Sequence, residues 1–188
     1  MSKIAIVFHS GFGHTARQAQ AVYDGAESVA GAEPTLYPVE SIDESAWAEL
    51  TVADAIVFGA PTYMGSVSAK FKEFMDASSK AWFTQAWKDK VAGGFTTSAS
   101  QSGDKLNSLI QMMVYANQHG MIWVGLDIPP GNNNSKGSVN DLNRLGSFSG
   151  AMAQANVDEG AEAMLDSDLK TAARLGQRIA EVAKKLRG

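Results

Sequence analysis

Extended apolar runs alternate with segments of helical periodicity along this chain, and that alternation admits few architectures. The runs Lys3–Phe8, Pro34–Val39, Ala53–Gly59, Val91–Thr97 and Met121–Gly125 read as strands. Between them apolar residues recur three and four apart: Ala16, Ala19, Val22, Tyr23 and Ala26; then Val67, Phe71, Phe74 and Met75; then Leu106, Leu109, Ile110 and Met113. Each stripe needs a surface to cover, and strands this continuously apolar need covering on both faces. A doubly wound α/β domain meets both needs, with a five-stranded parallel sheet and about five helices divided between its faces. The last helix starts near Asp166 and carries Leu169, Ala172, Ala173, Gly176, Ile179, Ala183 and Leu186 on one side. Lys184, Lys185 and Arg187 complement the negative end of its dipole.

At 188 residues and 45% hydrophobic content the chain suits one well-buried domain, 1–188. It has no Cys, which excludes disulfides, thiolate nucleophiles and zinc ribbons. A net charge of −4 without a basic stripe argues against a nucleic-acid partner, and it is too mild for a strongly acidic docking protein. Met1-Ser2-Lys3 runs straight into a strand pattern, and no apolar run approaches a membrane span. A soluble cytoplasmic protein with no membrane partner is expected. Ser41–Val52 reads as a short helix carrying Trp47, for which core packing is preferred. The stretch from Asp127 to about Asn156, with Pro129-Pro130-Gly131 and three asparagines, reads as a long loop, either functional or merely covering a sheet edge.

In an open α/β sheet the ligand binds outside the carboxyl ends of the strands, where the segments after strands one, three and four converge. After strand one comes Ser10-Gly11-Phe12-Gly13-His14-Thr15, opening a helix. The first turn of a helix leaves backbone N–H groups unpaired at the positive end of the dipole, so an anion is held there without a cation. No Lys or Arg lies between Ser10 and Ala16, which suits a lone phosphate monoester. The Lys-Ser/Thr ending of a P-loop and the G-x-G-x-x-G of dinucleotide folds are both missing. After strand three, Pro61-Thr62-Tyr63-Met64-Gly65 reads as a turn fixed by Pro61 and Gly65, whose backbone groups can read the edge of a planar ring. After strand four, Thr97-Ser98-Ala99-Ser100-Gln101-Ser102 suits a polyol chain and a carbonyl oxygen. Phosphate, polyol and flat heteroaromatic ring together describe FMN. Each loop could be a plain turn; three at one end of the sheet make coincidence less credible.

The S-x-x-G-H-T loop, the P-T-x-x-G turn and the Gln118-His119-Gly120-Met121 segment resemble those of the flavodoxin-like NAD(P)H-dependent FMN oxidoreductases. The nearest type is the WrbA-like NAD(P)H:quinone oxidoreductases. The resemblance implies a flavodoxin-like sheet of order 2-1-3-4-5. It implies FMN as cofactor, NADH or NADPH as hydride donor, and a quinone or free flavin as small-molecule acceptor. A homodimer or homotetramer is implied as well. Ser10 to Thr15 would hold the phosphate, with Phe12 on the nicotinamide side. Thr62, Tyr63 and Met64 would lie along the isoalloxazine, and Thr97 to Ser102 would border the ribityl and pyrimidine. Trp82 resembles the aromatic wall of the substrate pocket, and His119 the histidine over the flavin. The chain departs from that group in a shorter segment between strands two and three and in reading Ala-Ser-Gln-Ser after strand four.

On chemistry alone His119 has a second reading, because it ends a helix just before Gly120 and can serve as a cap. Trp82, Phe83 and Trp87 can likewise be core or oligomer contacts. No His, Asp and Glu cluster has metal-ligand spacing, and no nucleophile elbow follows a strand. The expected activity is hydride transfer from NAD(P)H through flavin N5 to a quinone. The alternatives are a flavodoxin-type single-electron carrier and a reductase that supplies reduced flavin to a monooxygenase.

Overall fold

The computed structural model describes all residues, Met1–Gly188. Its strands are β1 (Ser2–Phe8), β2 (Ala32–Pro38), β3 (Ala55–Tyr63), β4 (Ser66–Val67), β5 (Val91–Ser98), β6 (Ile122–Trp123) and β7 (Ala151–Gln154). The helices are α1 (His14–Glu27), α2 (Glu44–Val52), α3 (Ala69–Ala77), α4 (Ser79–Phe83), α5 (Lys105–Gln118) and α6 (Asp166–Arg187). The sheet runs β2-β1-β3-β5-β6, all parallel, with β4 antiparallel to β3 and β7 parallel to β5. With the β4 hairpin set aside, this is the expected order 2-1-3-4-5. No helix is long and apolar enough to cross a membrane.

Period-two alternation sorts β1 between two cores. Ile4, Ile6 and Phe8 face α1 and α6 beside Val57, Phe95, Leu175 and Ile179. Ala5 and Val7 face the other layer, with Phe58, Phe71, Phe74, Trp87 and Met112. Trp47 packs there, stacked on Phe74 at 5.3 Å and on Trp87 at 6.3 Å. The helix that carries it is capped by Asp43, whose Oδ1 accepts from the Ala46 amide at 2.9 Å. On the first layer α1 and α6 touch backbone to backbone. A Cβ on Gly25 would stand 1.8 Å from the Ala173 carbonyl oxygen, and one on Gly176 would stand 1.9 Å from that of Val22. These two glycines set how closely α1 lies on α6, and so where the start of α1 points.

Three expectations need correction. First, β3 does not end at Gly59 but continues through Pro61 to Tyr63, so Pro61 is in a strand and not in a turn. Pairing with β1 stops at Phe8–Gly59 and pairing with β4 starts at Thr62, so the missing N–H of Pro61 falls between the two ladders. The turn is Met64-Gly65, with φ of 50° and 74°, the two-residue geometry that matches strand twist and favours glycine. Second, Val67 belongs to β4 and not to the following helix, and that helical stretch breaks at Ser78 into α3 and α4, making six helices. Third, Met121–Gly125 yields only Ile122–Trp123, while β7 arises inside the predicted loop 127–156. The fifth place in the sheet is shared: β6 pairs with Val91 and Ala92, and β7 with Phe95 to Ser98.

The insertion between β6 and β7 is tied down from within. Arg144 makes a two-pronged ion pair with Asp168 at 2.8 and 2.7 Å, both side chains almost fully buried. The same carboxylate accepts from the Gln154 amide at 2.9 Å, joining insertion, β7 and α6.

Candidate functional site

The β1–α1 loop turns over the carboxyl end of the sheet. Ser10 Oγ accepts from the amides of Gly13 and Ala16, 3.1 Å each, so this hydroxyl braces the loop from inside. The amides of Gly11, Phe12, His14 and Thr15 have no acceptor within the chain. Gly13 is in the left-handed region at φ 90°, immediately before the first helical residue. The result is a set of free donors at the positive end of a 14-residue helix.

The β3–β4 hairpin rises beside it. Tyr63 brings its hydroxyl over Gly11, 2.6 Å from where a Cβ would stand, and its ring meets Phe12 edge to face at 6.5 Å. Burial raises the Tyr63 pKa, so the phenol stays neutral. Phe12 is 80% exposed and the tip residue Met64 fully exposed, which makes an apolar crest over the opening. Thr62 faces inward: its Oγ1 is 2.8 Å from Thr96 Oγ1 and 2.7 Å from Ser108 Oγ.

Beyond β5, Thr97 donates its hydroxyl to Gln18 Oε1 at 2.6 Å, and Lys105 organises the loop that follows. Its buried Nζ donates to the carbonyls of Ser100 (2.7 Å) and Gln101 (2.8 Å) and to Ser98 Oγ (2.8 Å). Burial pulls the Lys105 pKa down to about 8, against the opposing pull of Asp168. Lys105 was not among the expected residues, because a lysine opening a helix looks like any solvated cation.

These segments enclose a crevice of about 170 Å³, lined by Gly11, Phe12, His14, Thr15, Pro61, Tyr63, Thr97, Ser98 and Ala99. A fourth wall, Ala155 and Val157 from the loop after β7, carries no motif that sequence reading could detect. His14 Nε2 lies 2.9 Å from the Glu159 carbonyl oxygen and ties that wall to the β1–α1 loop. The remaining expected residues surround the crevice. Ser10 and Gly13 shape its floor, Thr62 and Ser100 its supports, and Met64 and Gly65 the hairpin tip, while Gln101 and Ser102 line the adjoining groove beside Asp104. His9 anchors the loop from below, with Nδ1 2.8 Å from Ser68 Oγ and Nε2 3.3 Å from Glu40.

The structure does not bring His119 and Trp82 into this crevice. In a parallel βαβ unit the helix runs back, so the end of α5 lies at the amino ends of the strands. His119 sits there against Trp87 (4.3 Å) and Tyr115 (4.8 Å), and Trp82 lines a separate groove with it. His119 is the last residue before a glycine-terminated stop in which Gly120 N bonds Asn117 O and Met121 N bonds Ala116 O, the capping reading of this segment. Ser78 Oγ accepts from Tyr115 Oη at 2.7 Å and donates to the Met75 carbonyl at 2.7 Å. The His119 proton is therefore on Nε2, donated to Ser78 at 3.0 Å, and Nδ1 is left buried without a partner. Burial lowers the His119 pKa to about 4.

Residues 20–127 match the model of a family described as NADPH-dependent FMN reductase. Over 99% of both chains the protein is 47% identical to Flavodoxin FldP of Pseudomonas aeruginosa. It is 34% identical to an NAD(P)H dehydrogenase (quinone) of Archaeoglobus fulgidus, over 99% of this chain and all of that one. Among solved structures it resembles a WrbA-like flavodoxin protein of Agrobacterium tumefaciens, with TM-score 0.78 and 42% identity over 98% of this chain and 99% of the other.

Proposed function

This chain belongs to the NADPH-dependent FMN reductase family, and from that premise we propose that it is an FMN-dependent NAD(P)H oxidoreductase acting on a quinone or similar small acceptor. The observation that carries the reading is the set of unpaired amides of Gly11, Phe12, His14 and Thr15 at the start of α1, in a crevice that also presents the hydroxyl-bearing Thr97 and Ser98, the aromatic Tyr63 and an apolar wall of Ala155 and Val157. These donors fit a phosphate monoester without any cation. Thr97, Ser98 and Ala99 would border the polyol, and Pro61, Tyr63 and Phe12 would lie against the flat ring. When bound, FMN supplies two-electron hydride chemistry at N5, between a nicotinamide and the acceptor. The chain's own part is to hold the phosphate by backbone amides, to keep the Tyr63 phenol neutral beside the ring, and to limit water with the Phe12–Met64 crest. A homodimer or homotetramer is part of the proposal, supported by the exposed apolar row Leu106, Ile110 and Val114 along α5.

The name of the 47% identical relative favours a second reading, a flavodoxin-type electron carrier. Anaerobic mixing of FMN-loaded protein with NADPH, then NADH, separates the two. Fast two-electron bleaching of the flavin band, with recovery on adding benzoquinone, is expected of the reductase. No bleaching by either nucleotide, with a one-electron state accumulating under chemical reduction, would replace it with the carrier.

A further inference from the structure

Asp104 is placed against local rules. It stands at the position before α5, where an aspartate normally accepts from the first free amides, yet its side chain makes no capping bond. Its backbone is left-handed, φ 54° and ψ 26°, which is costly for a residue with a side chain. The carboxylate is thereby left without a partner in the groove that adjoins the crevice, with Oδ2 4.0 Å from where a Cβ on Gly65 would stand at the hairpin tip.

Arg144 lines the same groove, but its guanidinium is buried and committed to Asp168. The segments that build the crevice, 9–18, 60–67, 97–107 and 154–162, hold four carboxylates (Asp104, Asp158, Glu159 and Glu162) and two cations (Arg17 and Lys105). Lys105 is buried and committed to loop carbonyls. Of these two, Arg17 alone reaches solvent.

We propose that Asp104 determines specificity by charge: it disfavours polyanionic partners in the groove beside the crevice, so that NADH is used in preference to NADPH. The proposal rests on the reductase reading for its donor and departs from the donor named in the family's description. NADPH differs from NADH by a ribose phosphate of close to two negative charges. One carboxylate at roughly 8 Å from such a group through water changes relative affinity about fivefold. The effect fades as salt shortens the screening length from about 10 Å at 0.1 M to about 3 Å at 1 M.

The test compares wild type with Asp104→Asn, which removes the charge while asparagine tolerates the left-handed backbone. Flavin bleaching rates are measured with both nucleotides at low and high salt. The expected result is a wild-type preference for NADH of about fivefold at low salt, lost in the variant and reduced in wild type by salt. A preference for NADPH in wild type, or the same ratio in both proteins, overturns the proposal. If neither nucleotide bleaches wild type, the reductase reading falls instead. Asp104 is then judged on dithionite-reduced protein reoxidised by ferricyanide or by hexaammineruthenium(III), each taking one electron at a time. Asp104→Asn should speed the anionic oxidant and slow the cationic one; equal rates in the two proteins overturn the proposal in that case too.

Discussion

Acid should destabilise this protein through one imidazole. His119 is 1% exposed, its Nε2–H is given to Ser78, and its Nδ1 has no partner between the Trp87 and Tyr115 rings. Protonation would place a charge and a new donor where nothing accepts, and burial accordingly lowers the pKa from 6.5 to about 4. In the unfolded chain the group titrates at its ordinary value, so between pH 6.5 and 4 the unfolded state binds more protons and stability falls as pH falls. Integrating over that window, the loss relative to pH 7.5 is about 2 kcal/mol at pH 5 and about 3 kcal/mol at pH 4. Other groups also titrate there, so the informative quantity is the difference between wild type and His119→Phe, whose cost at Ser78 does not depend on pH. Urea unfolding at pH 7.5 and pH 5.0 should show that difference shrinking by about 2 kcal/mol on acidification. A difference constant to within about 0.5 kcal/mol would refute the tautomer assignment and the burial argument together.

Other perturbations test the fold and the crevice. Gly176→Ala drives a methyl into the Val22 carbonyl at the α1–α6 contact and should cost about 3 kcal/mol; a loss below about 1 kcal/mol in thermal unfolding would mean the helices part freely. Arg144→Met leaves Asp168 charged and buried and should cost about 3–5 kcal/mol, much of it recovered in Arg144→Met/Asp168→Asn; equal stability of single and double variants would show that the charge is not the cause. Gly11→Ala pushes the Tyr63 hydroxyl aside and should weaken FMN binding about tenfold in a fluorescence titration, whereas unchanged affinity would place the ligand elsewhere.

The strand and helix pattern alone determined the doubly wound sheet, because apolar runs such as Ile4–Phe8 and stripes such as Ala19–Val22–Ala26 can be buried together in few ways. It also located the β1–α1 loop, where glycine spacing and the absence of cations are local chemistry. The hairpin tip was half legible: Gly65 announced a turn, but Pro61 joined a strand because only the sheet reveals that β3 runs on past Gly59 beside β5, with Pro61 between its β1 and β4 pairings. Tertiary structure decided the rest. β7 has just two buried alanines to signal it and exists because β6 leaves half the edge of β5 unpaired. Ala155 and Val157 reach the crevice only because that strand ends there. His119 follows a helix that runs back along the sheet, so this family-like segment lies at the opposite end of the sheet from the other two. Local pattern specifies which faces must be buried and which backbone groups are free; which free groups meet depends on chain direction and on pairing between residues far apart in sequence.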